Sequence, residues 1–301
     1  MKIFEYRTIC PISVEKYKIG SVYMTAKRSE EETKQVKGEG IETIKLEPFK
    51  NEKESGIYTY KIMHFKSRIP AFMRWALPDK YCHCHEQSWN AYPHYYTSYA
   101  VPGMGEDFVM IVDSYHIPYK KGEPIPDNLL NLSEEELSMR KIVYLDILEG
   151  KPVPDKNRDL KEWTNPELNI NEPLRSLPDA KKDETEPPSW IENFDGEMMV
   201  AVKVVKFKFH WRGLQTIVEN FATNSFYHNL FNDNHRAMFR WSDDWAKMTI
   251  EDVIEFETKI YNQNNSLDFE RDDSKPMIDP PNEKPLDCPS GPNSSEENAN
   301  Y

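Results

Sequence analysis

The stretch EMMVAVKVVKFKFHW, residues 197–211, is the strongest β-strand signal in the chain. Its side chains alternate between two faces, as the two-residue period of a strand requires. One face is apolar except for Lys203 at its middle, whereas Lys206, Lys208 and His210 lie on the opposite face. A buried ammonium is costly without an anion beside it. Lys203 therefore meets an internal carboxylate, lies at the rim of the sheet, or faces a polar ligand.

Isolated polar groups recur on other apolar faces. Strands predicted at 57–65 and 106–117, and a helix predicted at 250–261, each place one or two polar side chains among apolar neighbours. These side chains are Thr59, Lys61, Ser114 and Glu257. Together with Lys203 they predict an internal cavity that is apolar over most of its wall and polar at one end.

Such a cavity suits an amphiphile whose head group carries a phosphate and hydroxyls. Ammonium groups pair with phosphate, and hydroxyls and carboxylates bond a polyol. Exposing two acyl chains to water costs ~0.8 kcal/mol per CH₂, on the order of 25 kcal/mol for roughly thirty methylenes. A lipid carrier must therefore enclose both chains.

The order of elements along the chain predicts the fold class. Strands are not regularly separated by helices, and a long helical pattern from 213 to 248 precedes the helix at 250–261. This order is typical of an α+β fold with a mainly antiparallel sheet packed against long helices. The proline- and charge-rich segment 150–189 is predicted to be a long excursion, and the residues beyond 261 a disordered tail. Other strands are predicted at 2–10, 41–47, 94–101 and 139–148, and a helix is predicted to begin after Ser13.

The composition of the chain argues against several classes of function. The 301 residues carry a formal net charge of -13, which argues against nucleic acid as a partner and against static anchoring on an anionic membrane. No apolar run approaches the ~18 residues of a spanning helix, and the N-terminus lacks a signal-peptide core. Four scattered cysteines (Cys10, Cys82, Cys84 and Cys288) indicate reduced thiols. We expect a soluble cytoplasmic monomer that contacts membranes transiently.

The segment YCHCH, residues 81–85, has the residue types of a metal site. In an extended chain Cys82 and Cys84 point one way and His83 and His85 the other, so these residues cannot enclose an ion. The sequence has no second ligand pair at metal-site spacing. We therefore expect neither a metal nor a cofactor.

The residues that follow, HEQSWNAYP at 85–93, resemble the I-H-E-x-x-W-N-A-Y-P segment of the phosphatidylinositol transfer proteins. Other segments match that family in the same order along most of the chain. They are EYR at 5–7, PISVEKYKIG at 11–20, GEG at 38–40, NEKESGIYTYKIMHFKSRIPAF at 51–72, EDFVMIVDSYH at 106–116 and KFKFHWRGLQTIVENF at 206–221. The resemblance, to the single-domain class I members, implies a START-like domain over 1–262. Its curved sheet encloses a lipid beneath a C-terminal lid helix, with a regulatory loop at 150–190 and a tail at 263–301.

The resemblance also implies roles for individual residues. Inositol contacts fall on Thr59, Lys61, Glu86, Asn90 and Glu257, and phosphate contacts on Thr97, Ser114 and Lys203. Ser21 stands where glutamine is common in the family, so that inositol contact is expected to be weak or lost.

Outside the pocket the resemblance implies surface roles. Trp211 stands at a membrane-docking position, although Arg212 replaces the family's second tryptophan. Trp75, in the apolar stretch 71–78, could compensate because an indole suits the membrane interface. Ser176 is a candidate phosphorylation site in the regulatory loop.

Three functional hypotheses remain open at this point. The leading one is a non-catalytic carrier that exchanges phosphatidylinositol, and also phosphatidylcholine, between membranes. A second is a sensor that presents inositol lipid to a phosphoinositide kinase or another effector. A third, a lipid hydrolase, has little support because the sequence has no G-x-S-x-G segment.

Overall fold

The computed structural model describes residues 1–35, 37–68, 83–150, 159–178, 183–267 and 269. The described residues form one eight-stranded sheet in the order β2-β3-β4-β5-β6-β8-β1-β7. The strands are β1 (Lys2–Cys10), β2 (Gly40–Lys50), β3 (Ser55–His64), β4 (His83–Ala91), β5 (His94–Ala100), β6 (Phe108–Tyr119), β7 (Arg140–Leu145) and β8 (Met198–Phe209). All neighbouring strands are antiparallel except β1 and β7, which run parallel.

The helices of the described chain pack around this curved sheet. They are α1 (Val14–Gln35), α2 (Glu134–Met139), α3 (Gln215–Phe221), α4 (Tyr227–Arg240), α5 (Ser242–Trp245) and α6 (Ile250–Asn265). A π-helical segment, Ala222–Phe226, joins α3 to α4. The predicted α+β class with a mainly antiparallel sheet is confirmed.

The predicted helix starts agree with the structure. Before α1, the Ser13 hydroxyl accepts a hydrogen bond from the Lys16 amide at 3.3 Å. At α6, the Thr249 hydroxyl accepts from the Asp252 amide at 3.2 Å, and the Asp252 carboxylate accepts from the Thr249 amide at 2.8 Å. This reciprocal capping satisfies two donors that a helix start leaves free.

Helix lengths differ from the sequence-based expectation in two places. The pattern from 213 to 248 forms three helices and a π-helical segment rather than one helix. Helix α6 continues to Asn265 instead of ending at 261, because its last residues are held by distant partners. The Asn265 side chain bonds the Thr43 amide at 2.9 Å and its carbonyl at 2.6 Å, and Asn264 donates to the Ser29 hydroxyl at 2.9 Å.

The described parts of the 150–189 excursion pack tightly on the domain. Trp163 is 4% exposed and Ile170 1%, and Trp190, just beyond the excursion, is fully buried. The Trp163 indole donates to the Ser242 hydroxyl at 3.1 Å, which ties the segment to α5. Burial of tryptophan is among the largest apolar contributions that a side chain can make, so this segment is part of the core. Its regulatory role stays a prediction.

Among the residues that the structure describes, no helix combines the length and apolarity needed to cross a bilayer. The larger core cluster instead lies around the central strands β8 and β1, where Ile9, Val200 and Val204 are buried.

Candidate binding pocket

A pocket of about 500 Å³ lies between the sheet and helices α1, α4 and α6. Its volume falls within the ~300–1,000 Å³ typical of sites for small molecules and cofactors. We call the sheet face that lines it the inner face. The pocket wall includes every residue that the sequence predicted as a lipid head-group contact: Ser21, Thr59, Lys61, Glu86, Asn90, Thr97, Ser114, Lys203 and Glu257.

Strand register explains how residues distant in sequence reach the same wall. Lys61 on β3 lies directly opposite Glu86 on β4. Ser114 on β6 lies directly opposite Lys203 on β8. Directly opposed residues of antiparallel strands project to the same side of the sheet. The pairing therefore places the two lysines and their polar neighbours on the inner face.

Lys203 is an ammonium without a carboxylate partner among the described residues. No ion pair within 4 Å involves it in the described part of the chain, and its Nζ lies 5.9 Å from the centre of the Phe231 ring. Burial lowers the pKa of Lys203 to about 8, which the Cys10 thiol offsets only in part. The internal carboxylate that the sequence left open as an alternative is not seen among these residues.

Lys61 has the opposite environment. Its Nζ lies 3.6 Å from Glu86 Oε1 and 4.9 Å from the centre of the Tyr261 ring. Burial alone would lower its pKa, but Tyr261, Glu86 and Glu257 together raise the pKa of Lys61 above that of an exposed lysine. Burial raises the pKa of Glu257, although Lys61 and Tyr261 act against this shift.

Hydroxyl and amide groups occupy the wall between the two lysines. Ser88 shares a hydrogen bond with Thr97 at 2.8 Å and donates to Asn90 Oδ1 at 3.0 Å. Thr59 is 1% exposed, and its hydroxyl has no hydrogen-bond partner among the described residues. On α1, the Ser21 hydroxyl donates to the Lys18 carbonyl at 3.0 Å. The pocket thus contains one buried hydroxyl with unused bonding capacity, which is costly unless a ligand satisfies it.

The remaining predicted residues lie outside the pocket. Trp211 is half-buried and packs against a second apolar cluster that includes Phe207 and Leu214. Ser176 is exposed. Trp75, with the whole stretch 71–78, lies outside the described residues.

Sequence reasoning did not assign the tyrosines of the pocket wall to the site, among them Tyr95, Tyr99 and Tyr261. The residue spacing that places them there can be recognised in the sequence. In β5, Tyr95 and Tyr99 flank Thr97 at a two-residue spacing, which puts all three on one face. In α6, Tyr261 follows Glu257 by four residues and so lies on the same side of the helix.

The cysteine–histidine stretch is built into β4 and does not form a metal centre within the described residues. His83 Nδ1 lies 3.1 Å from His64 Nδ1, and the Tyr60 hydroxyl lies 2.7 Å from His85 Nδ1, both on the outer face of the sheet. The chain outside the gaps in the structure holds no group of three or more potential metal ligands. Cys82 falls in one of those gaps.

An α+β domain whose sheet and helices enclose a partly polar pocket is a small-molecule-binding fold, and comparison with known proteins identifies its family. Residues 1–262 match the family model for phosphatidylinositol transfer protein. The chain belongs to the phosphatidylinositol transfer protein family, so the resemblance seen in the sequence is confirmed.

Curated relatives support the same assignment. The chain is 38% identical to phosphatidylinositol transfer protein 2 of Dictyostelium discoideum over 264 residues, or 86% of this chain and 94% of that protein. It is 35% identical to phosphatidylinositol transfer protein 1 of the same organism over 275 residues, covering 91% and 98%. It is 35% identical to the human phosphatidylinositol transfer protein beta isoform over 258 residues, covering 85% and 90%. Each of these relatives is named for lipid transfer, and none is named as an enzyme.

Proposed function

We propose that the protein is a non-catalytic carrier that binds one phosphatidylinositol molecule in its pocket and exchanges it between membranes in the cytoplasm. The observation that carries this proposal is Lys203, a half-buried ammonium that faces the pocket and has no ion-pair partner among the described residues. An uncompensated buried charge is strongly unfavourable. An anionic ligand in the pocket supplies the missing partner.

The phosphodiester binds beside Lys203. Ser114 lies directly opposite Lys203 in the sheet, and Thr97 lies on the neighbouring strand β5. An ammonium and two hydroxyl donors match the acceptor oxygens of a phosphate. The phosphate restores the full charge of Lys203, since an adjacent anion favours the protonated amine.

The inositol ring binds at the Lys61 end of the pocket. Thr59 offers its unpartnered hydroxyl, Asn90 its amide, and Glu86 and Glu257 their carboxylates. A polyol both donates and accepts, so this mixture of groups can bond several hydroxyls at once. The Ser21 side chain is shorter than the glutamine common in the family and donates to the Lys18 carbonyl, which supports only a weak contact there.

The acyl chains lie along the apolar part of the wall. This part is formed by side chains of the sheet and of helices α4 and α6, namely Met110, Val112, Leu230, Phe231, Met238, Ile250 and Ile254. Phosphatidylcholine uses the same apolar wall and the same phosphate contacts, but it has no inositol hydroxyls for Thr59 or Asn90. The two lipids therefore share the acyl-chain and phosphate contacts and differ in the inositol contacts.

Exchange requires α6 to move, because this helix forms one wall of the pocket and contributes Glu257. We assign membrane docking to Trp211, next to the exposed Arg212, and to Trp75. An indole is favourable at the membrane interface, and an arginine there can pair with lipid phosphate. Phosphorylation of the exposed Ser176 would add negative charge to the excursion.

Vesicle-to-vesicle transfer of labelled phosphatidylinositol and phosphatidylcholine tests this assignment. Thr59→Ala and Asn90→Ala are expected to reduce transfer of the inositol lipid and to leave transfer of the choline lipid unchanged. Ser98→Ala is the matched control, because Ser98 follows Thr97 in β5 and points to the opposite face. Equal loss of both lipids would refute the division of contacts, and absence of inositol-lipid transfer by the wild-type protein would refute the function.

A further inference from the structure

Two tyrosines lie beside the carboxylates at the Lys61 end of the pocket. The Tyr261 hydroxyl donates to Glu257 Oε1 at 2.8 Å within α6. Tyr99 lies directly opposite Glu86 in the β4–β5 pair. Both tyrosines line the pocket together with the carboxylates they contact. Each carboxylate thus has a phenol beside it on the same wall, and the Tyr261 hydroxyl bonds Glu257 directly.

Tyr261 also connects helix α6 to the sheet. No ion pair within 4 Å joins Lys61 to Glu257 in the described residues, although Lys61 pairs with Glu86 at 3.6 Å. The Lys61 Nζ instead lies 4.9 Å from the centre of the Tyr261 ring. Neighbouring groups therefore follow one another from Tyr99 through Glu86, Lys61 and Tyr261 to Glu257.

This arrangement keeps the charged groups from neutralising one another completely. At 3.6 Å the Lys61–Glu86 pair is longer than the 2.7–2.9 Å of a direct charge-assisted hydrogen bond. A carboxylate has about four acceptor positions. The Tyr261 phenol occupies one of them on Glu257, and the others remain available to hydroxyl groups in the pocket.

Building on the proposed function, we propose that Tyr99 and Tyr261 are positioning residues that set head-group selectivity. Their hydroxyls hold Glu86 and Glu257 so that these carboxylates accept hydrogen bonds from the hydroxyls of a polyol head group. Without the phenolic hydroxyls, the Glu86 carboxylate moves closer to the Lys61 ammonium, and the Glu257 carboxylate turns away from the inositol ring of the ligand. A quaternary ammonium head group has no hydroxyl or N–H donor, so its binding is indifferent to this geometry.

Tyrosine-to-phenylalanine variants separate the hydroxyl from the ring. Tyr99→Phe and Tyr261→Phe keep the aromatic surface, including the ring above which Lys61 lies, and remove only the phenolic hydroxyl. Tyr58→Phe is the matched control, because the Tyr58 hydroxyl is buried on the outer face and has no hydrogen-bond partner in the described residues.

The experiment equilibrates each full-length protein with vesicles that contain equal amounts of phosphatidylinositol and phosphatidylcholine, and measures the bound lipids by mass spectrometry. Each single variant is expected to lower the ratio of bound inositol lipid to choline lipid about tenfold, the effect of one hydrogen bond to a charged group. Binding of choline lipid and the ratio for Tyr58→Phe are expected to stay unchanged.

The outcomes distinguish this inference from the proposed function. Wild-type protein that takes up no inositol lipid contradicts the proposed function itself. Wild-type protein that takes it up, with variants that keep the wild-type ratio, overturns only the role of the tyrosines. Equal loss of both lipids in the variants also overturns it, because that result indicates a general effect on folding.

Discussion

Replacing Lys203 with methionine should make the lipid-free protein more stable and should weaken its binding of lipid. Methionine has a similar length and no charge, so it fits the same apolar face without the desolvation cost of an ammonium. The substitution thus separates the contribution of Lys203 to folding from its contribution to binding, and the two are expected to have opposite signs.

The magnitude follows from the environment of the lysine. Burial lowers the pKa of Lys203 from 10.5 to about 8. That difference corresponds to about 3 kcal/mol of unfavourable free energy for the charged form in the folded protein. Below pH 8 both the folded and the unfolded chain carry the proton, so the folded protein bears the full cost. Between pH 8 and pH 10.5 only the unfolded chain is protonated, and stability should rise with pH.

Urea denaturation of delipidated protein measures the effect. At pH 7 the free energy of unfolding of Lys203→Met should exceed that of the wild type by up to about 3 kcal/mol, and the difference should shrink as the pH approaches 10. Lys206→Met is the control. Lys206 is on the same strand, on the outer face, and forms an ion pair with Glu136. Its replacement should bring no gain in stability and no loss of lipid.

Lipid uptake supplies the other half of the test. Lys203→Met should bind both phosphatidylinositol and phosphatidylcholine weakly, since the two share the phosphate contact. The reasoning is refuted if the variant is less stable than the wild type at pH 7, or if it retains wild-type uptake of both lipids.

Three further predictions concern folding and the pocket. Thr249→Ala removes the cap of α6 and should lower the free energy of unfolding by about 1 kcal/mol in urea; an unchanged value would show that the cap is redundant. Trp190→Ala removes a fully buried side chain and should cost about 3–5 kcal/mol by the same assay, with the ratio of bound lipids unchanged. Thr59→Val removes an unpartnered buried hydroxyl, so the lipid-free protein should lose no stability while inositol-lipid uptake falls. A destabilised Thr59→Val protein would mean that the hydroxyl already has a partner.

Local patterns predicted the part of the site that lies on single strands and helices. The two-residue alternation in 197–211 assigned Lys203 to an apolar face before any pairing was known, and the observed strand β8 has that arrangement. The helix predicted to begin at 250 likewise agrees with the start of α6, which Thr249 caps. Such signals depend only on neighbouring residues, so one sequence is enough to detect them.

Features set by distant contacts could not be predicted in this way. The sequence indicates that 139–148 is a strand, but not that β7 pairs in parallel with β1. The last turn of α6 has no apolar repeat and is fixed by the bonds of Asn265 to Thr43, more than two hundred positions away. The charged, proline-rich composition of the excursion similarly hid the fact that Trp163 belongs to the core.

Native mass spectrometry of the protein after incubation with mixed phospholipid vesicles shows whether the pocket holds a lipid whose binding depends on Lys203. We expect a single bound phospholipid per chain, phosphatidylinositol or phosphatidylcholine, in the wild-type protein and strong depletion of that species in Lys203→Met. A folded wild-type protein that emerges with an empty pocket, or a Lys203→Met protein as fully loaded as the wild type, would contradict this expectation.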